Sequence, residues 1–342
     1  MTTINTVPGL LVPLQGTLSG EPFATRNTAQ AGAALPAAAV VAGQAAAGAA
    51  STLLTQLASA QGGMAPLLAD LSAALARPDL PQAVREAAQT LLSFRLDGSA
   101  LGGKAIESAV LNSGLFLEAM LASGQPGSGD LKSALLSLRS ALQTTLPTAK
   151  APGLAASLPP PHRSAPPTAQ PPALPSIAML DGESLGAKLL AETDAALART
   201  TLLQLASLPD SGPSRQSDMP QRLVVDIPIA TPQGHAVIQL QVERDREREN
   251  GEDIRSPSWR IHLAIDIEPL GPVRASVAQV DGRTHVTMFA EREASARALR
   301  NDLPALQSQL AQAALEPGDL HCRSGIPDRE PAPAGLFVDR VS

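Results

Sequence analysis

Trp259-Arg260-Ile261-His262-Leu263-Ala264-Ile265-Asp266-Ile267-Glu268 alternates without a fault between apolar residues and, Ala264 apart, polar ones. That period of two is the mark of a half-buried strand. The chain turns at Glu268-Pro269-Leu270-Gly271, returns through Val273, Ala275 and Val277, and meets Asp281-Gly282. Asp-Gly between two alternating runs predicts a tight hairpin, because both central residues of that turn need positive φ. Arg283 to Ala290 follows with Val286, Met288 and Ala290 on one face, and Leu299, Leu303, Leu306 and Leu310 then recur at helical spacing before a closing strand that ends at Gly325.

Working outward, Leu223, Val225, Ile227 and Ile229 alternate as a further strand, and Pro228 within it favours a sheet edge. Gly234 turns the chain into Ala236, Ile238, Leu240 and Val242, with Gln239, Gln241 and Glu243 on the opposite face. Asp181 to Ser207 reads as a helix with Leu185, Leu189 and Leu203 turned inward. The expectation for 181–325 is an α+β domain: an antiparallel sheet of about five strands with flanking helices. Trp259 is expected to head the inward face of the central strand, where its truncation to alanine costs roughly 3–5 kcal/mol. Pro304 should kink the last helix, since it removes a backbone hydrogen bond and clashes with the preceding turn.

The rest of the chain reads differently. Residues 1–50 hold two charges, Glu21 and Arg26, and no periodic apolar face, so disorder is expected. Residues 51–146 read as short helices: Leu67, Leu68, Leu71 and Leu75 in one, and Val84, Ala88, Leu91 and Leu92 in another opened by Pro81. Ile106, Val110, Leu117 and Leu121 mark the next, and Leu131, Leu135, Leu138 and Leu142 one capped by Asp130. The last two are expected to form an αα-hairpin around Gly124–Gly129. Pro147 to Ser176 contains ten prolines and two charges, so 147–180 is expected to be a semi-rigid linker, and 326–342 a flexible tail.

Composition narrows the function. Of 342 residues 44% are apolar but only 2% aromatic, with no Tyr and one Trp, so large cores are expected only in the C-terminal third. A net charge of −6 and a pI near 5.4 speak against nucleic-acid binding, which needs a clustered basic face. The run Glu243 to Glu249 alternates in sign and reads as a solvated loop. The lone Cys322 allows no internal disulfide and suits a reducing cytoplasm. Asn27 to Ala69 is uncharged, yet Pro36, two glutamines in its first half and five glycines interrupt it, so no membrane insertion is expected.

Chemistry is hard to find in this sequence. His162, His235, His262, His285 and His321 read as scattered surface residues, and no Cys or carboxylate pair has metal-ligand spacing. His321 and Cys322 are adjacent and so point to opposite faces of a strand, unlike a nucleophile and its base. There is no phosphate-binding glycine loop and no nucleophile elbow. Asp266 and Glu268 share a strand face, with Arg260 or Arg274 as expected cross-strand partners. The expectation is a protein that is not an enzyme, with no catalytic residue, metal, cofactor or small-molecule substrate.

Ile265-Asp266-Ile267-Glu268-Pro269-Leu270-Gly271, followed by the Val-rich hairpin and by Arg297 through Leu310 with its Leu-Pro-x-Leu core, resembles the C-terminal domain of flagellar hook-length control proteins. The family's extra residues between Pro and Leu-Gly are missing, which shortens the turn. Ser113-Gly114-Leu115-Phe116-Leu117-Glu118 is also similar to an upstream motif of some homologues. The resemblance implies a cytoplasmic protein that is exported through the flagellar type III channel, measures the growing hook, and switches export from hook to filament subunits. It further implies that the C-terminal domain contacts the cytoplasmic domain of the export-gate switch protein, and that hook or hook-cap subunits are partners. Glu268, Pro269, Leu270, Gly271, Val273 and Arg297 are the implied contact residues; read without the resemblance, the same turn is an ordinary strand connection. The competing reading is a cytoplasmic adaptor that is never exported and binds another protein through the same domain.

Overall fold

The computed structural model describes residues 51–99, 101–124, 129–145, 158–162, 165–208, 221–244, 249–250, 253–254, 258–280 and 282–325. The expectations for 1–50 and 326–342, and for most of the 243–249 charge run, lie outside them. A helix at 51–60 (α1) leads into α2 (Met64–Ala74) and α3 (Gln82–Leu92), followed by a two-residue strand, β1 (Leu96–Asp97). Then come α4 (Gly103–Leu111), α5 (Leu117–Ala122), α6 (Leu131–Thr145) and the long α7 (Gly182–Ser207). Strands β2 (Gln221–Thr231) and β3 (Gly234–Arg244) precede a small ribbon of β4 (Glu249–Asn250) and β5 (Asp253–Ile254). The chain ends in β6 (Trp259–Ile267), β7 (Gly271–Val280), β8 (Arg283–Ala290), α8 (Glu293–Asn301), α9 (Leu303–Gln312) and β9 (Glu316–Ser324).

The fold is α+β, built on a seven-stranded sheet in the order β1-β2-β3-β6-β7-β8-β9. It is wider than the alternating runs suggested, and mixed. β2, β3, β6, β7 and β8 are antiparallel neighbours, whereas β1 and β9 each add in parallel. β9 returns after the α8–α9 crossover, and a strand that follows a helical crossover naturally runs parallel to the one before it. Pro228 is tolerated because β1 covers β2 only at Ile229 and Ala230.

The leucine stripes pack into one helical layer. Leu67, Leu68, Leu71, Val84, Leu91, Leu135, Leu138, Leu142, Leu185 and Leu189 share a buried cluster that reaches Val237 of the sheet. Asp130 caps α6, its Oδ1 accepting from Ser133 N at 2.7 Å, and Asp181 caps α7. The stripe of α6 faces α3 and α7 rather than the preceding helix. That helix is broken in two, because Gly114 has φ +85 and lies against the backbone of Lys132. Large cores are therefore not confined to the C-terminal third.

The described part of the Pro-rich stretch, 158–162 and 165–180, packs as a strap rather than hanging free as a spacer, and the rest of the expected linker lies outside the described residues. Gln61 donates to Leu158 O (2.5 Å), Gln239 accepts from Thr168 N (2.7 Å), Ala173 bridges to His235, and Ile177 is buried in the helical cluster. Strap and α7 cover the polar face of β2 and β3, so Gln239, Gln241 and Glu243, on the face opposite the apolar one, are buried. His235 is buried as well, in contact with Ser72 and Arg95, and burial beside that guanidinium lowers its pKa. The other face of the sheet carries Val225, Ile227, Ile229, Ala236, Ile238 and Leu240 against Ile106, Ala109 and Val110 of α4.

Trp259 departs from its expected place. It is 41% exposed at the start of β6, with the Arg244 guanidinium 5.2 Å from its ring centroid. The fully buried residue of that strand, Ala264, lies on the opposite face and pairs with Gln239, while the apolar clusters against α4 and α8 take in Ile261 to Ile267 and leave Trp259 out. Trp259→Ala is therefore expected to shift stability by about 1 kcal/mol or less, the scale of an exposed cation–π contact. Denaturant midpoints and the emission of the single Trp check this: the midpoint should barely move and the emission should be that of a solvated indole.

Candidate partner-binding surface

The turn between β6 and β7 is fixed from below by the start of α8. Arg292 donates from Nη1 and Nη2 to the two carboxylate oxygens of Glu268, each at 2.7 Å, and from Nη1 to Pro269 O at 2.9 Å. Ser295 Oγ donates to Leu270 O at 2.7 Å. The bidentate guanidinium holds the Glu268 carboxyl below the ordinary carboxylate range, and Glu268 raises Arg292 in return. Glu268 is thus paired with Arg292, not with Arg260 or Arg274. Asp266, two residues back, has its pKa raised by burial and by the neighbouring Glu268.

Gly271 makes this clamp sterically feasible. Its φ is +72, and a Cβ there would lie 2.6 Å from Arg292 Nε. Gly271→Ala is expected to cost about 1–2 kcal/mol from the left-handed backbone alone. It should also push the guanidinium off Glu268. Thermal unfolding reads the first effect; the second appears as a Glu268 titration moved back up toward the ordinary carboxylate range.

The sequence-implied residues divide into support and surface. Val273 is buried with Ala290, Ala296 and Cys322, and Leu270 packs against that cluster. Glu268, Pro269 and Arg297 are exposed. The turn and the start of α8 are brought together, with Val273 buried beneath them. Cys322 donates its S–H to Ala296 O, and burial pushes the thiol up, so it behaves as a core residue while His321 next to it is exposed.

Arg292 and Ser295 were missed. A signal existed: counting outward from the two-residue turn after Val280, the β7–β8 register places Gly271 opposite Arg292. A glycine opposite a long cation at the end of a hairpin is a recognisable pair.

Beyond Arg292 the helical segment is two helices, not one kinked one. Asp302 N closes back on Ala298 and Leu299, and Pro304 sits in the first turn of α9, where a missing N–H leaves no bond unmade. No residue of α9 is fully buried, and Leu303, Leu306 and Leu310 are half-buried on a stretch that carries no charge from Leu303 to Leu315. Depletion of charge is what distinguishes the centre of protein–protein interfaces from ordinary surface.

Among the described residues no group of three or more His, Cys, Asp or Glu could hold a metal, and no helix is long and apolar enough to cross a membrane. The crevice under α7 is lined by Leu203, Val225, Arg199 and Asp226, whose charges are engaged with each other.

Residues 247–331 match the family model described as flagellar hook-length control protein FliK. The match takes in β6 to β9 with α8 and α9, and so the whole clamp and the uncharged helix. The chain is similar to the hook-length control family over this stretch. No curated protein and no solved structure matches it. The upstream Ser113–Glu118 motif, outside the matched stretch, has a structural explanation. Glu118 pairs with the buried Lys132, Gln204 donates to Gly114 O and Glu118 Oε2, and Leu115 packs on the sheet cluster.

Proposed function

We propose that this chain is a hook-length control protein, exported through the flagellar channel, whose C-terminal domain switches export from hook to filament subunits. The observation that carries this reading is the family match over 247–331, which encloses both the clamped turn and the uncharged helix. The exposed part of this stretch, Glu268, Pro269, Arg297 and α9, meets the cytoplasmic domain of the export-gate switch protein. Leu270, Gly271 and Val273 hold it in shape. Such a protein is a regulator and not an enzyme.

The physical properties of the chain suit export. One cysteine, five Phe, one Trp and no Tyr leave an interior of leucine and alanine without covalent ties. Measuring takes length, and the residues ahead of Arg222 span at most about 750 Å extended or about 330 Å as helix. Because α2 to α7 pack against the sheet, that reach exists only once the helical layer has come away, as passage through a narrow channel demands.

Secretion tests the reading. The full-length chain should be found in the culture medium of cells with an intact flagellar export apparatus and be lost from it when the apparatus is disabled. A chain that stays inside in both strains is instead the adaptor that is never exported.

A further inference from the structure

The helical layer contains a carboxylate pair with too few cations. Asp70 of α2 and Glu192 of α7 are 1% and 4% exposed, and Lys188 is the cation that serves both, 3.6 Å from Asp70 Oδ2 and 2.9 Å from Glu192 Oε1. Asp70 has other donors: Ser176 of the Pro-rich strap gives its backbone N–H to Oδ1 at 2.5 Å and its hydroxyl to Oδ2 at 2.8 Å. Glu192 Oε2 is buried and has no donor. A buried carboxylate oxygen without a donor, beside a second carboxylate, is where a proton is retained.

We propose that Glu192 carries a proton, and that this proton closes a latch holding the Pro-rich strap onto α2 and α7. With Glu192 protonated, Asp70 keeps Lys188 and both Ser176 donors. With it ionised, two buried carboxylates compete for one ammonium, and the contact that yields is the one at the end of the strap. Around Glu192 the charged groups are Lys188 on its own helix and Asp70 on α2, and the strap contributes the neutral Ser176.

Burial, with Asp70 adding to it and Lys188 opposing it, raises Glu192 to about 7 from 4.5. The folded state therefore binds the extra proton between those two values, so the stabilisation is complete below the lower one and is lost as pH rises through the upper one. The latch opens on the alkaline side of neutrality.

Amide exchange of the full-length chain, corrected for its intrinsic pH dependence, tests this at the Ser176 amide and along 165–180. Wild type and Glu192→Gln should exchange alike at pH 5.5. At pH 8.5 the wild-type strap should exchange roughly 30-fold faster than the variant, the factor that ionising a group about 1.5 units above its pKa produces. A ratio that stays constant between those pH values overturns the latch. Should the glutamine variant misfold, Lys188→Met gives the second reading. Without the ammonium Glu192 holds its proton more tightly, so loosening must begin at higher pH than in wild type, and an unchanged or lower onset equally overturns it.

Discussion

Asp226→Ala is expected to destabilise the protein by about 3–5 kcal/mol, the cost of stranding a buried charge by removing its partner. Arg199 Nε lies 2.5 Å from Asp226 Oδ2, and each residue is only 4% exposed. The same carboxylate oxygen accepts from Gln170 Nε2 at 2.7 Å, and Arg199 Nη1 donates to Gln61 Oε1 at 2.7 Å. One substitution would thus disturb α7, β2, the strap and the loop before α2 together. The paired change Arg199→Met with Asp226→Leu removes both charges and should recover most of the loss, since buried ion pairs are often replaceable by apolar groups of similar volume. Denaturant midpoints of the three proteins measure this. A single variant within 1 kcal/mol of wild type, a small shift on the scale of a surface change, would mean that water reaches the pair.

The second large effect is functional. Replacing Pro269, Leu270 and Gly271 by alanine should leave the chain secreted but unable to signal, giving overlong hooks with few or no filaments. Pro269 fixes its own φ, Leu270 anchors the turn in the Val273 cluster, and Gly271 allows the approach of Arg292. Circular dichroism of the purified variant separates loss of signalling from loss of the domain. Normal hooks and filaments in cells whose only copy is the folded variant would remove this turn from the switch surface and leave α9 as its candidate.

The strands were readable wherever one face met water and the other a core. β6, β7 and β8 kept their alternation, and the Asp-Gly signal set their register. Leucine stripes at helical spacing located α2, α3, α6 and α7 for the same reason. Reading failed where burial is polar. Gln239, Gln241, Glu243 and Asp226 look like a solvent face, but a strap of prolines with few side-chain donors covers them and leaves their hydrogen bonds to be made inside. Prolines were read as a spacer because composition records the absence of a core in the segment itself, not the core supplied by its neighbours. β9, with Pro317 and Gly318 in it, shows no alternation and is held by its parallel register to β8. The clamp at Arg292 depends on a residue far along the chain that only the register brings into place.

Hook length after clean deletion of this chain is the most direct test of its role. The proposed function predicts that deletion turns a narrow distribution of hook lengths into a broad one with a long tail, with filaments lost, and that the full-length chain supplied in trans restores both. Hooks of unchanged length carrying normal filaments in the deletion strain would contradict it.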